Sequence, residues 1–87
     1  MWSVYIIQCA DKTLYTGITN NLTKRLEMHE SGNAAKYTKG RGPFRLVYQE
    51  LHENRSLSTK REAEIKKFTK QNKYKLVESY KNSLENT

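Results

Sequence analysis

Tyr5, Tyr15, Arg25 and His29 could share one piece of chemistry in this 87-residue chain. The tyrosines fall on consecutive apolar stretches, and Arg25 and His29 are spaced to share one side of a helix. A carboxylate from a later helix can join them, with Glu62 on one shoulder of that helix and Glu64 on the other. Helical geometry does not choose between the two. Hydrolysis of a phosphodiester needs an activated water, charge neutralisation on the phosphate oxygens and a proton for the leaving oxygen. Tyrosine or histidine can move the proton, and a guanidinium can grip the phosphate through paired hydrogen bonds. One glutamate suffices to hold a Mg²⁺ ion that keeps several waters. Each residue also has a plain structural reading. The tyrosines suit a half-buried sheet, Arg25 can snorkel, and His29 suits the end of a helix. Glu62 fits a capping box with Thr59 if its helix starts late. Their joint occurrence carries the catalytic reading.

The elements that must position these groups follow from the pattern. Residues 2–9 are β-branched and aromatic, with Trp2, Val4 and Ile6 on one face and Tyr5, Ile7 and Cys9 on the other. Both faces are largely apolar, so the strand is expected to be covered on both sides. Ala10-Asp11-Lys12-Thr13 has turn chemistry, with an odd loop such as Asp11 to Thr13 expected, and a second strand runs Leu14 to Thr19. Tyr5 and Tyr15 share a face only if the numbers of opposed residues sum to an even constant, for example Cys9 opposite Tyr15. Asn20-Asn21 caps a helix over 22–30 that stops at Ser31-Gly32. Its Leu22, Arg25, Leu26 and His29 lie in one arc.

Residues 33–43 read as a loop or short helical turn with Lys36, Lys39 and Arg41 around Tyr37, a combination suited to a phosphate backbone. A third strand over 44–50 alternates Phe44, Leu46 and Tyr48 with Arg45, Val47 and Gln49. A helix over 57–68 presents Leu57, Ile65 and Phe68, with Arg61 among them. Tyr74, Leu76, Val77 and Tyr80 suit one more short helix. Residues 1–80 are expected to form one domain, and 81–87 a frayed polar tail.

Hydrophobic residues make up 36% of the chain, and the net charge is +7. A small basic domain of this kind points to a polyanionic partner. The single cysteine, Cys9, is expected to be a buried small hydrophobe, which fits a reducing compartment. Met1 leads straight into an apolar strand with no basic leader, and no apolar run approaches the roughly 20 residues of a membrane span. A cytoplasmic location without membrane contact is expected.

Ser3-Val4-Tyr5, then Tyr15-Thr16-Gly17, then Arg25 and His29 resemble the GIY-YIG endonuclease domain. More narrowly, the stretches Cys9–Gly32, Ala35–Glu50 and Lys60–Phe68 resemble the small stand-alone bacterial proteins of the UPF0213 type. The resemblance covers residues 2–76. It implies an α+β fold in which a three-stranded antiparallel sheet is flanked by helices, in the order β-β-α-β-α-α. It implies an active site on one sheet face, with a divalent metal, Mg²⁺ or Mn²⁺, on Glu62. Tyr5 and Tyr15 match the motif tyrosines, one of them the general base. Gly17 matches the motif glycine, Arg25 the phosphate-binding arginine and His29 a residue that assists water activation. Thr19, Lys36 and Tyr37 match accessory substrate contacts. Ser3 and Thr16 depart from the motif without removing a functional group.

The function expected is metal-dependent cleavage of DNA, including branched or damaged DNA, with a protein partner for targeting. The alternative is a non-catalytic nucleic-acid-binding or partner-recruiting module that retains the fold. The sequence leaves the oligomeric state open.

Overall fold

The structure is a computed structural model that describes residues 1–85. Its elements are β1 (Trp2–Gln8), β2 (Leu14–Thr19), α1 (Leu22–Glu30), β3 (Arg45–His52), α2 (Arg55–Lys66) and α3 (Lys70–Glu85). The α+β order is the one expected. The sheet is antiparallel in the order β2-β1-β3, so β1 is central. Both of its faces are covered: Val4, Tyr5, Ile6 and Ile7 are all buried, and so is Cys9 just beyond the strand.

The β1–β2 register places Tyr5 opposite Gly17 and Ile7 opposite Tyr15. The pairing constant is even, so Tyr5 and Tyr15 share a face as expected. Tyr15 faces Ile7 rather than Cys9 because the connection is longer than a three-residue turn and runs from Cys9 to Thr13. The Cys9 N–H donates to the Thr13 carbonyl at 2.9 Å, and Asp11 accepts from the Thr13 N–H and hydroxyl. Lys12 turns the chain in the left-handed region at φ 73°.

α1 has the expected bounds. The Asn21 side chain accepts from Lys24 N at 3.1 Å, and Gly32 leaves the helix at φ +82°. Thr23, Lys24, Glu27 and Glu30 are exposed, whereas His29 is buried.

β3 breaks its expected alternation. Tyr48 lies opposite Ile6 but Leu46 lies opposite Ile7, so a bulge separates them. Val47 and Tyr48 consequently pack together against the core of Val4, Ile6 and Ile65.

α2 starts earlier than expected, because Asn54 caps it by accepting from Leu57 N at 2.9 Å. The capping box of Thr59 and Glu62 does not form, and this leaves the Glu62 carboxylate to other partners. The buried line on α2 runs through Ser58 and Ile65, while Leu57 is exposed. Arg61 ties α2 to β3 by donating from Nε to Glu50 Oε1 at 2.7 Å. α3 is longer than the short helix expected and continues to Glu85, through residues assigned to a frayed tail. The remainder of that tail, residues 86–87, lies outside the described residues. α3 packs through Leu76 on the core and through Tyr80, whose ring meets Tyr48 edge-on at 5.6 Å.

Candidate active site

The site grows from the side of β1 and β2 that carries Tyr5 and Tyr15. The Tyr5 ring lies directly over Gly17; a Cβ at that position would sit 2.6 Å from its hydroxyl oxygen. The motif glycine therefore gives a buried phenol room to lie flat across β2.

The Tyr5 hydroxyl is 2.8 Å from His29 Nε2, and His29 Nδ1 is 2.9 Å from Thr38 Oγ1. Thr38 is itself fully buried and donates its hydroxyl proton to the Ala35 carbonyl at 3.1 Å. With that proton used, its oxygen accepts from Nδ1–H, which fixes the histidine tautomer. Nε2 is then bare and accepts from the Tyr5 hydroxyl. The result is a directed line of donors: Tyr5 to His29, His29 to Thr38, Thr38 to the backbone.

Electrostatics favours the neutral form of both rings. Burial pushes the Tyr5 phenol well above its ordinary range; the neighbouring Tyr15 and Glu62 add to this and Arg25 opposes it. Burial and then the Arg25 charge lower the pKa of His29, with Glu30 opposing. A neutral imidazole whose Nε2 lone pair faces the Tyr5 hydroxyl can receive a proton, and Tyr5 is the group placed to deliver it.

Tyr15 is half-buried and completes an aromatic cluster. Its ring centroid lies 5.3 Å from that of His29 and 6.5 Å from that of Tyr5. On its other side it stacks on Tyr37 at 5.9 Å and 25°. Arg41 sits over the Tyr37 ring at 4.8 Å and also pairs with Asp11.

Arg25 stands one turn before His29 on α1, and its charge is felt by both Tyr5 and His29. Glu62 belongs to α2, whose Ile65 packs on the opposite side of the sheet among Val4 and Ile6. Its charge nonetheless reaches Tyr5. Glu62 is the more enclosed of the two candidate glutamates: its side chain is 20% exposed, against 63% for Glu64, which lies 3.8 Å from Arg61. Lys66 Nζ lies 3.3 Å from Glu62 Oε2, so a cation already rests against this carboxylate. Its hard oxygen donors fit a divalent ion that keeps most of its water. Among the described residues no cluster of three or more His, Cys, Asp or Glu forms a fuller metal cage.

The remaining expected contacts are placed differently. Thr19 is buried, and its hydroxyl exchanges hydrogen bonds with the Asn21 backbone, bracing the entry to α1. Lys36 and Lys39 are exposed on the loop that carries Tyr37. Sequence reasoning missed Thr38. A lone threonine in a basic loop has no periodic signal, and only the fold brings it to His29.

Residues 1–75 match the GIY-YIG catalytic domain. The chain belongs to the GIY-YIG family. Relatives of this GIY-YIG chain include UPF0213 protein CPE1444 of Clostridium perfringens, 53% identical over 76 residues, covering 87% of this chain and 82% of that protein. UPF0213 protein OB0043 of Oceanobacillus iheyensis is 51% identical over 75 residues, covering 86% and 87% respectively. The GIY-YIG fold seen here is similar to the solution NMR structure of UPF0213 protein BH0048 from Bacillus halodurans. That likeness has a TM-score of 0.58 at 40% identity and covers 90% of this chain and 84% of the other. Membership places the chain in a nuclease family.

Proposed function

We propose that this chain is a metal-dependent endonuclease that hydrolyses phosphodiester bonds in DNA, with branched or damaged DNA as its substrate class. The observation that carries the reading is the line from Tyr5 through His29 to Thr38, with the charges of Arg25 and Glu62 both acting on the Tyr5 hydroxyl. A buried, oriented proton acceptor beside a guanidinium and a carboxylate exceeds what packing needs.

The residues divide the work as follows. Arg25 grips the phosphate and neutralises charge that builds on its oxygens. The Tyr5 oxygen takes a proton from the attacking water as its own proton passes to His29 Nε2, 2.8 Å away. His29 receives it as a cation whose Nδ1–H still points at Thr38. Gly17 keeps the Tyr5 ring in line, and Tyr15 walls the site. Glu62 would hold Mg²⁺ or Mn²⁺, which supplies Lewis-acid stabilisation of the leaving oxygen. Lys36, Lys39 and Arg41 carry flanking phosphates. The protein works in the cytoplasm, with a partner protein directing it to its substrates.

The test is nicking of supercoiled plasmid and of branched DNA with Mg²⁺ or Mn²⁺. Wild type should cleave, and Glu62→Gln should not. Equal, negligible cleavage by both proteins on every substrate would overturn the proposal. The Lys66 contact on Glu62 favours a second reading, a binding module whose carboxylate is permanently neutralised. That protein would bind DNA in EDTA with a steep salt dependence and would tolerate loss of Glu62.

A further inference from the structure

Next to Tyr37, a cleft of about 250 Å³ opens between the β1–β2 turn and the start of α3. Lys12, Leu14, Tyr37, Lys70, Lys73 and Tyr74 line it, and no carboxylate does. Three ammonium groups around one small space repel one another unless an anion lies between them. Two aromatic side chains stand partly open at the same place, Tyr37 at 44% and Tyr74 at 36% exposure. The candidate active site uses none of the side chains of Lys12, Lys70, Lys73 and Tyr74.

We propose that this cleft is a subsite for single-stranded nucleic acid, taking an unpaired nucleotide next to the scissile phosphate. Aromatic faces between lysines are how proteins hold unstacked bases while tracking a backbone. The volume of the cleft is of the order of one nucleotide. Tyr37 is the shared wall: its ring stacks on Tyr15 at 5.9 Å and carries Arg41 at 4.8 Å, and the same side chain lines the cleft. Tyr37 thereby places the cleft next to Tyr15, the outer member of the aromatic cluster. The Tyr74 hydroxyl reaches the Lys12 carbonyl at 3.5 Å, linking the two sides of the cleft. The inference rests on the nuclease reading for the direction of the strand. It narrows the substrate to DNA with an unpaired segment, such as a flap or an open junction arm.

The experiment measures binding of a fluorescent twelve-residue oligothymidylate to the full chain by anisotropy, in EDTA, across a salt series. Tyr74→Ala should weaken binding about tenfold, as loss of one base–aromatic stack does, and Tyr74→Phe should retain most of it. Lys70→Ala with Lys73→Ala should lower the slope of log K against log salt by about 1.4, the value for two phosphate contacts on a single strand. Lys75→Ala with Lys81→Ala, an exposed pair on the same helix, removes the same charge and should leave that slope near wild type. Unlabelled oligothymidylate should compete better than blunt duplex or polyglutamate of equal charge. The inference is overturned if wild type does not bind, if both lysine pairs act alike, or if duplex or polyglutamate competes equally. Because no cleavage is measured, this result stands apart from the plasmid assay. Binding without nicking would sink the nuclease reading alone, and nicking without cleft-dependent binding would sink this inference alone.

Discussion

Gly17→Ala is the sharpest probe of the Tyr5–His29 contact. The added methyl would lie 2.6 Å from the Tyr5 oxygen, 2.7 Å from Cζ and 3.1 Å from Cε1. Carbon atoms in contact prefer about 3.5–4.0 Å, so the ring must retreat by roughly 1 Å. The ring has little freedom, because Tyr5 is 1% exposed and lies on the central strand. A retreat of that size carries its hydroxyl, now 2.8 Å from His29 Nε2, beyond hydrogen-bond range. Overpacking of this kind costs about 1–3 kcal/mol. For a domain this small, that is a fall in Tm of roughly 5–20 °C. Misplacement of a catalytic group by about 1 Å costs on the order of 100-fold in rate. Thermal melting by circular dichroism reads the first effect and plasmid nicking reads the second. A Gly17→Ala protein that melts and nicks like wild type would refute the close approach and, with it, the reason for glycine at this position.

Three further outcomes follow from the same geometry. Thr38→Val leaves the buried Nδ1–H of His29 without an acceptor, which should destabilise the fold by about 1–3 kcal/mol; it should also release the tautomer, as nitrogen NMR shifts of His29 would report, while Thr38→Ser keeps both. Arg25→Gln removes a charge that holds the His29 pKa down, so the His29 titration followed by NMR should move upward and the acid limb of cleavage should move with it; an unmoved titration would refute that coupling. The lowered pKa of His29 also sets a sign for stability. Above about pH 6.5 the ring is neutral in both folded and unfolded chains and its contribution is complete. As pH falls below that value the unfolded chain takes up the proton first, so Tm should drop, and His29→Gln should flatten the drop.

The sequence was informative where one local rule settles an outcome. Pairing parity tied the shared face of Tyr5 and Tyr15 to a turn with an odd number of residues, and the Cys9–Thr13 connection keeps that parity although it is longer than expected. Asn21 and Gly32 bounded α1 through caps that act within a few residues. The rule failed where tertiary contact outvotes it. The bulge in β3 separates Leu46 from Tyr48, and no turn residue marks its position. Asn54 and the Thr59–Glu62 pair are rival starts for α2, and the earlier cap lets the helix gain a further turn. Periodicity could not choose between Glu62 and Glu64, since the choice depends on which shoulder of α2 turns toward the hairpin. Thr38 was invisible because its burial is created by His29 and the loop around it.

The carboxylate of Glu62 arrives on a helix seated against one side of the sheet, while the tyrosines and His29 occupy the other. The consequence is temporal. A chain emerging from the ribosome releases the hairpin, α1 and the Thr38 loop before Glu62 leaves the exit tunnel. Glu62 joins them as Ile65 docks on the core and Arg61 pairs with Glu50 on the finished third strand. The candidate site is thus complete only when the fold is, and a copy cut short before α2 carries Tyr5, His29 and Thr38 without Glu62.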